Sequence, residues 1–268
     1  MGSLVQSETE PSIATVRIGN LDIHNLRFGE AVEHIWRLVK KRSGGVVCTP
    51  NADYVVRART DDAFREAIAS ADLRVPDGMG IVYASHIAGR PIRGTVTGRR
   101  LLPELAALAA KHGVPIALFG AQPGVAALAA KRLRKRYAGL TIAEAISPPP
   151  RFAIGSADDN EAVAALRRRS PGMIFVALGA PKQEIWMQRH RGELDGIVLI
   201  GVGAAFDIVA GRFREAPRWM TAIGLEWVVR LMQEPKRLAR RYLLDDVWII
   251  RWALETRLHA INRRPRDE

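Results

Sequence analysis

Asp77 is the side chain in this sequence that is best placed to do chemistry. It stands in the segment VPDGMG (residues 75–80), where a short apolar stretch ends at a turn that contains glycines. Strand ends in α/β folds open onto ligand crevices, and glycines let the backbone approach a substrate closely. Asp77 is therefore a candidate general base. The same local sequence also fits a turn aspartate that caps a helix from Met79 to Ala88, and these residues alone leave both readings open.

Two further loops combine glycines with polar groups in a way that suits an anionic ligand. The segment LGAPKQE (178–184) predicts a tight turn before a helix whose N-terminal amides can hold an anion, with Lys182 and Gln183 beside them. It equally fits an ordinary helix start, with Pro181 in the first turn and Glu184 favoured by the helix dipole. The segment GVGAAFD (201–207) repeats the pattern, and Asp207 can accept hydrogen bonds from a ribose or a base.

Short apolar runs alternate with amphipathic helical patterns around these loops, which predicts an α/β fold with parallel strands joined by right-handed crossovers. Strands are predicted over residues 45–49, 114–119, 140–146, 173–178 and 197–200. Helices are predicted over residues 28–42, from 50 to about 70, from the end of the loop 120–124 to residue 137, over 158–170 and over 181–191. A small hairpin is predicted over residues 16–24. The candidate loops then lie at the ends of strands.

Composition predicts an ordinary globular protein with an anionic partner. The chain has 268 residues, of which 48% are hydrophobic and 25% charged, so we expect one main domain and a tail. Forty basic and 28 acidic residues give a net charge of +12. This charge predicts attraction to nucleic acid, to an acidic lipid surface or to a phosphorylated substrate.

Cysteine usage and hydropathy set further limits. Cys48 is the only cysteine, which excludes an intrachain disulfide and a cysteine-rich zinc site and fits a reducing, cytosolic compartment. The first 12 residues lack the features of a signal peptide, and no apolar run approaches the roughly 18 residues of a membrane-spanning helix. We therefore expect a chain that stays on one side of any membrane.

Taken in order, these motifs resemble those of the WecG/TagA/CpsF glycosyltransferases, glycosyltransferase family 26. The resemblance extends from about residue 14 to residue 243. It is carried by TPNA (49–52), DGMG (77–80), FG (119–120), GAPKQE (179–184), GVGAAFD (201–207), AG (210–211), AP (216–217), LEW (225–227), RL (230–231) and EPKR (234–237). It is specific because the PKQE block and the LEW-to-EPKR block occur together in the expected order.

The resemblance implies an activity and an architecture. The activity is transfer of a sugar from a UDP-sugar to a polyprenyl-diphosphate-linked saccharide, with inversion, during bacterial exopolysaccharide, teichoic-acid or antigen assembly. The architecture is a Rossmann-like parallel-sheet sandwich with a helical C-terminal appendage. We expect a disordered leader over residues 1–13, a catalytic domain over 14–211 and a basic, membrane-associating appendage over 212–268, acting at the cytoplasmic face of the plasma membrane.

The resemblance also assigns roles to residues. Asp77 becomes the base that takes the proton of the acceptor hydroxyl, since an inverting single displacement needs a carboxylate on the acceptor side. Charge stabilisation for the departing UDP is needed on the other side. The implied substrate-binding residues are Thr49, Asn51 and Gly78 near the base, Arg93 and Gly120, and, for the donor diphosphate and uridine, Gly179, Lys182, Gln183, Glu184, Gly201, Gly203 and Asp207.

The chain has no Asp-x-Asp pair, which is the usual ligand for a metal that bridges the phosphates of a sugar nucleotide. We therefore expect an enzyme that needs no metal and no cofactor, in which arginines and helix amides stabilise the leaving group.

Two segments depart from the family pattern. Where the family usually reads Arg-Val-x-Gly-x-Asp-Leu, this chain has TVTGRRL (95–101), so Thr95 and Arg100 replace the usual arginine and aspartate. Arg93 and Arg99 are candidates to substitute for the arginine. Where the family usually has Gly-Tyr-Phe, this chain has PRF (150–152), which removes a tyrosine that could contact the nucleotide. The identity of the donor sugar stays open.

The tail concentrates positive charge. Residues 212–241 contain eight basic and three acidic residues, a local net charge of +5. We expect this segment to hold the acceptor diphosphate and to contact an anionic inner leaflet through Arg214, Arg230, Arg237, Arg240 and Arg241. A solvated charged face packed on the main domain is the alternative, and residues 244–268 leave room for self-association into a homo-oligomer.

Other functional classes fit less well. A nucleic-acid-binding protein would be basic too, but aromatic residues make up only 6% of the chain and no binding module is recognisable. A dinucleotide oxidoreductase would need a strand that ends in GxGxxG. A catalytically inactive family member that acts as a membrane-bound scaffold is the strongest alternative, because of Thr95 and Arg100.

Overall fold

The computed structural model describes residues 13–213 and 248–258, together with the single positions 220, 229 and 232. The strands are β1 Thr15–Ile18, β2 Leu21–His24, β3 Gly45–Cys48, β4 Leu73–Arg74, β5 Ile116–Gly120, β6 Ile142–Ile146, β7 Met173–Ala177 and β8 Val198–Gly201. The helices are α1 Phe28–Lys41, α2 Ala52–Arg57, α3 Asp62–Ala69, α4 Met79–Ile87, α5 Gly98–His112, α6 Val125–Arg136, α7 Ala157–Arg169, α8 Lys182–His190 and α9 Ala205–Val209.

Six of the strands form one parallel sheet in the order β4-β3-β8-β7-β5-β6. Helices cover both faces, so alternate side chains of one strand enter different cores: Phe175 lies in one apolar cluster, and Ile174 and Val176 in another. Strands buried on both sides read as continuous apolar runs, which is why the sequence revealed them. The predicted α/β, Rossmann-like parallel sheet is confirmed.

The order of the strands reverses beside β3. From β3 the chain moves outward to the edge strand β4, whereas β5 to β8 all lie on the other side of β3. Ligand crevices of open α/β sheets form at such a reversal, outside the carboxyl ends of the strands. The loops that follow β3, β4, β7 and β8 therefore meet at the edge of the sheet where a site is expected.

A second, smaller layer packs beside the sheet. The predicted hairpin forms from β1 and β2, which pair antiparallel. It shares an apolar cluster with α2, α3 and α4 and with the helix at residues 248–258, which contributes Ile249 and Ala253. The Nδ1 atom of His24 accepts a hydrogen bond from the backbone N–H of Arg74 at 2.9 Å, which links the hairpin to β4.

Two predictions about helices differ from the structure. Residues 50–70 form two helices, because Asn51 caps α2 and Asp61 caps α3 through side-chain oxygens that accept from Tyr54 N and Phe64 N. Helix α5 was not predicted, although it buries one face at a helical spacing, because Pro103 lies inside it and interrupts the pattern.

The tail is described only in part. Residues 248–258 are helical, and Arg59 lies over the ring of Trp248 at 4.0 Å. Among the described helices, none has the length and apolarity to cross a bilayer. The predicted diphosphate and membrane contacts Arg214, Arg230, Arg237, Arg240 and Arg241 lie outside the described residues, as do residues 1–12 of the predicted leader.

Candidate active site

The loop at the end of β3 is tied to the end of β8. Thr49 is buried, and its Oγ1 donates a hydrogen bond to the carbonyl oxygen of Gly201 at 3.1 Å. Two residues later the side chain of Asn51 starts α2. Both residues were predicted to orient the substrate beside the base, and the structure shows that each also fixes the backbone of this loop.

Asp77 lies in a segment that continues the sheet beyond β4. The backbone N–H of Val75 donates to the carbonyl oxygen of Cys48 at 2.9 Å, and that of Asp77 donates to the carbonyl oxygen of Pro50 at 2.7 Å. On the other side, the N–H of Val96 donates to the carbonyl oxygen of Pro76 at 2.7 Å. The backbone that carries Asp77 is thus held from both sides at the carboxyl end of the sheet.

Asp77 is not the N-cap residue of α4. The N-cap is Gly78, whose φ of 93° favours glycine, and the helix begins at Met79. Asp77 is half-buried. Its negative charge is one of the causes that raise the pKa of the Tyr54 hydroxyl. Asp77 is thus a half-buried carboxylate at the carboxyl end of the sheet.

A buried hydrogen-bond network lies behind the crevice. The hydroxyl of Tyr54 donates to Oε1 of Glu184 at 2.6 Å, and Nε2 of Gln183 donates to the same oxygen at 2.7 Å. Oε1 of Gln183 accepts from the N–H of Gly203 at 3.0 Å. The network joins α2 to the start of α8 and to the loop after β8. Tyr54 belongs to none of the sequence motifs, and its only signal is a hydroxyl on a buried helix face that needs a partner.

Glu184 is an unusual carboxyl group because it is fully buried. Burial raises its pKa to about 7, although the hydrogen bonds from Tyr54 and Gln183 favour the ionised form. Its Oε2 has no hydrogen-bond partner within residues 13–213 and 248–258. Burial, followed by the charge of Glu184, also raises the pKa of Tyr54 well above its ordinary value.

Gln183 and Glu184 were predicted to bind the substrate, and the structure places both side chains inside the protein. Gly201 belongs to the same packing, since a Cβ atom there would overlap Nε2 of Gln183. Gly120, at the end of β5, packs in a similar way against the backbone of Ala177 at the end of β7. These residues pack inside the protein and support the loops that line the crevice.

Gly179, Lys182 and Asp207 lie nearer the surface than Gln183 does. Gly179, in the turn before α8, has a φ of 74° and is half-buried. The Nζ atom of Lys182 donates to the carbonyl oxygen of Phe152 at 2.8 Å, which ties α8 to the loop with the PRF departure. Asp207, on α9, lies 3.5 Å from a guanidinium nitrogen of Arg212.

Arg93, just before the departing segment 95–101, and Arg100, within it, have partners of their own. Nη2 of Arg93 donates to a carboxylate oxygen of Glu30 at 2.6 Å and to the carbonyl oxygen of Asn25 at 2.8 Å. The guanidinium of Arg100 lies 4.0 Å over the ring of Phe28. Both side chains therefore pack against the segment that starts α1.

The part of the chain that the structure describes contains no group of three or more His, Cys, Asp or Glu side chains that could hold a metal ion.

Comparison with known proteins agrees with the motifs. The model of the glycosyl transferase WecG/TagA/CpsF family matches residues 16–263. The chain is 28% identical over 228 residues, or 84% of this chain and 86% of the relative, to an N-acetylglucosaminyldiphosphoundecaprenol N-acetyl-beta-D-mannosaminyltransferase of Bacillus subtilis strain 168. It is 29% identical over 235 residues, or 87% and 90% of the two chains, to the protein of the same name from Staphylococcus aureus strain MW2. The chain is thus a member of the WecG/TagA/CpsF family of glycosyltransferases.

Proposed function

We propose that this protein transfers an N-acetylhexosaminyl group from a UDP-sugar to a polyprenyl-diphosphate-linked saccharide, with inversion at the anomeric carbon. Similarity to transferases that are named for an N-acetylmannosaminyl group and an N-acetylglucosaminyldiphosphoundecaprenol acceptor supports the sugar class and the lipid-linked acceptor. The observation that carries the proposal is the placement of Asp77 at the carboxyl end of the sheet, where its N–H is bonded to Pro50 and the preceding residue, Pro76, is bonded to Val96.

In the proposed reaction, the carboxylate of Asp77 removes the proton from an acceptor hydroxyl. The hydroxyl oxygen forms a bond to the anomeric carbon of the donor. The bond from that carbon to the diphosphate oxygen breaks on the opposite side, and UDP leaves with the electron pair. Because this is one displacement, the configuration at the anomeric carbon inverts, and a single base is enough.

Two groups of residues serve this step in the proposal. Thr49, Asn51 and Gly78 shape the acceptor side around Asp77. Gly120, Gly179, Gly201, Gly203 and Asp207 provide the donor side, where backbone N–H groups near the start of α8 and the loop after β8 stabilise the diphosphate. Gln183 and Glu184 contribute through the loops that they hold, because their side chains are buried.

Positive charge serves both the donor and the acceptor in the proposal. Lys182 and Arg93 are exposed cations with fixed partners, and they add positive potential at the edge of the crevice. The tail arginines 214, 230, 237, 240 and 241 contact the acceptor diphosphate and the anionic inner leaflet of the membrane. With this set of cations and helix amides the transfer proceeds without a metal.

The test is transfer by the purified protein from a panel of UDP-sugars to a lipid-diphosphate-linked N-acetylglucosamine acceptor in anionic vesicles. We expect UDP release with at least one UDP-N-acetylhexosamine, a product of inverted anomeric configuration by NMR, and unchanged rates in EDTA. Loss of activity in EDTA that magnesium restores would contradict metal independence.

Absence of UDP release with every donor, from folded and membrane-bound protein, would instead support the inactive scaffold. Arg100 is the observation that favours this alternative, because it replaces the usual aspartate and packs on Phe28. The variant Arg100→Asp separates the two: gain of activity in an otherwise silent protein would show that the departure disables the site.

A further inference from the structure

The carboxyl group of Glu184 connects two of the loops that form the crevice. Through Tyr54 it holds α2, which follows directly on the loop that contains Thr49 and Asn51. Through Gln183 it holds the N–H of Gly203 in the loop after β8. Both bonds end on the same oxygen of Glu184. A single buried group therefore sets the distance between the proposed acceptor side and the proposed donor side.

The same network reaches the base. The N–H of Asp77 is bonded to the carbonyl oxygen of Pro50, four residues before Tyr54. The charge of Asp77 acts on the Tyr54 hydroxyl, which donates to Glu184. A shift of Tyr54 thus moves the segment on which the backbone of Asp77 rests.

The strength of these bonds depends on the charge of Glu184. An ionised carboxylate is a stronger acceptor than a neutral acid, so both bonds are strongest when Glu184 is ionised. Oε2 is buried with no partner in the described ranges, so nothing there accepts a proton bound to it. Protonation on Oε2 would therefore weaken the bonds to Tyr54 and Gln183 without forming a new one within the described residues.

Four other groups act on this site from the elements around it. Arg57, on α2, favours the ionised form of Glu184. The charge of Glu184 raises the pKa of the Cys48 thiol, on β3, and the pKa of Tyr54. The charge of Asp77 also raises the pKa of Tyr54. Since burial raises the pKa of Glu184 to about 7, both of its forms are populated near neutral pH.

We infer that Glu184 is a positioning residue for the transfer reaction. Its ionised form holds Tyr54 and Gln183, and through them the Asp77 segment and the loop after β8, in the arrangement that transfer needs. This role differs from the substrate contact that the sequence motif suggested, and it rests on the proposed function.

The test compares the pH dependence of kcat and KM for the wild type and for the variants Glu184→Gln and Tyr54→Phe, between pH 5.5 and 8.5. We expect kcat of the wild type to rise with pH through a limb near 7, because transfer needs the ionised form. Glu184→Gln should lose this limb and lower kcat by roughly 10- to 100-fold, with a smaller change in KM. Tyr54→Phe should move the limb to higher pH, because it removes a hydrogen bond that favours ionisation.

The matched control is Tyr83→Phe, which removes a hydroxyl from an exposed position on α4 and should leave the profile unchanged. Thermal unfolding of each variant shows whether it is folded. If Glu184→Gln does not fold, the pH profile of Tyr54→Phe decides the test by itself. A limb near pH 7 that survives in Glu184→Gln, or one that stays in place in Tyr54→Phe, would overturn this inference while the proposed function stands. Absence of turnover in the wild type with every donor would overturn both.

Discussion

At the scale of single residues, the crevice is built by contacts that lie far apart in the sequence. Tyr54 and Glu184 are separated by 130 positions and meet at 2.6 Å. Thr49 and Gly201 are separated by 152 positions and meet at 3.1 Å. The motifs marked most of these residues as functional, but no local pattern shows which side chain faces a ligand and which faces its neighbours. Gln183 and Glu184 illustrate this, because a motif that suits a phosphate places both side chains in the interior.

Gly201→Ala tests this packing directly. The added methyl group would overlap Nε2 of Gln183, so we expect a loss of about 1–3 kcal/mol in unfolding free energy and a clear fall in turnover. Denaturant unfolding and UDP release measure the two effects. Gly192→Ala is the control, since nothing lies within 4 Å of a Cβ atom there. Equal stability of the two variants would show that the contact between Gly201 and Gln183 is loose.

At the scale of elements, strands were more predictable than helices. Apolar runs placed five strands of the parallel sheet, because strands covered on both faces carry no polar side to interrupt the run; the edge strand β6, which contains Glu144, is the exception. The two-residue β4 and helix α5, with its internal Pro103, did not follow a simple pattern. The order β4-β3-β8-β7-β5-β6 could not be predicted, since pairing between distant strands leaves no local signal. Side-chain contacts such as that between His24 and β4 are equally hidden.

The link between the hairpin and β4 should make stability depend on pH. Burial, followed by the charge of Arg74, lowers the pKa of His24 from 6.5 to about 4. Neutral His24 is therefore favoured in the fold above pH 6.5. This contribution to stability is lost as the pH falls from 6.5 towards 4, by roughly 1–3 kcal/mol in total. His24→Asn keeps an acceptor for Arg74 N and cannot become charged.

Denaturant unfolding of the wild type and His24→Asn between pH 4 and 7.5 checks the direction of this pH dependence. The wild type should lose stability relative to the variant as the pH falls. His86→Gln, an exposed position on α4, is the control and should follow the wild type. Parallel curves for wild type and His24→Asn would mean that His24 is not held neutral.

At the scale of the whole molecule, the positive charge is spread more widely than the basic tail suggested. Five of the described helices that lead into strands carry Lys or Arg in their last turn: α1 Lys40 and Lys41, α5 Lys111, α6 Arg134, Lys135 and Arg136, α7 Arg167, Arg168 and Arg169, and α8 Arg189. Such residues favour the negative end of the helix dipole. These helices lead into strands, so their charged ends lie towards the amino end of the sheet, away from the crevice. Part of the net charge of +12 therefore serves the fold.

The tail is joined to the main domain through the helix at residues 248–258. Ala253 is fully buried in the cluster that also contains the hairpin, whereas its neighbour Leu254 is 52% exposed. Ala253→Asp places a carboxylate in this apolar cluster, so we expect the helix to detach and trypsin to cleave at Arg251 or Arg257 at least about tenfold faster. Leu254→Asp is the control and should be cleaved at the wild-type rate. Equal cleavage of both variants would contradict the docking of this helix.

The proposed reaction depends most on Asp77 as the general base. Asp77→Asn keeps the size of the side chain and removes its basicity, so the fold and the affinity for UDP should stay while turnover falls by about 100-fold or more. UDP release by the variant and the wild type, with UDP binding measured on the same samples, tests this directly. We expect a folded, UDP-binding protein with that loss of turnover. Near-normal turnover in Asp77→Asn would contradict it and would leave Asp77 as a structural residue of the turn before α4.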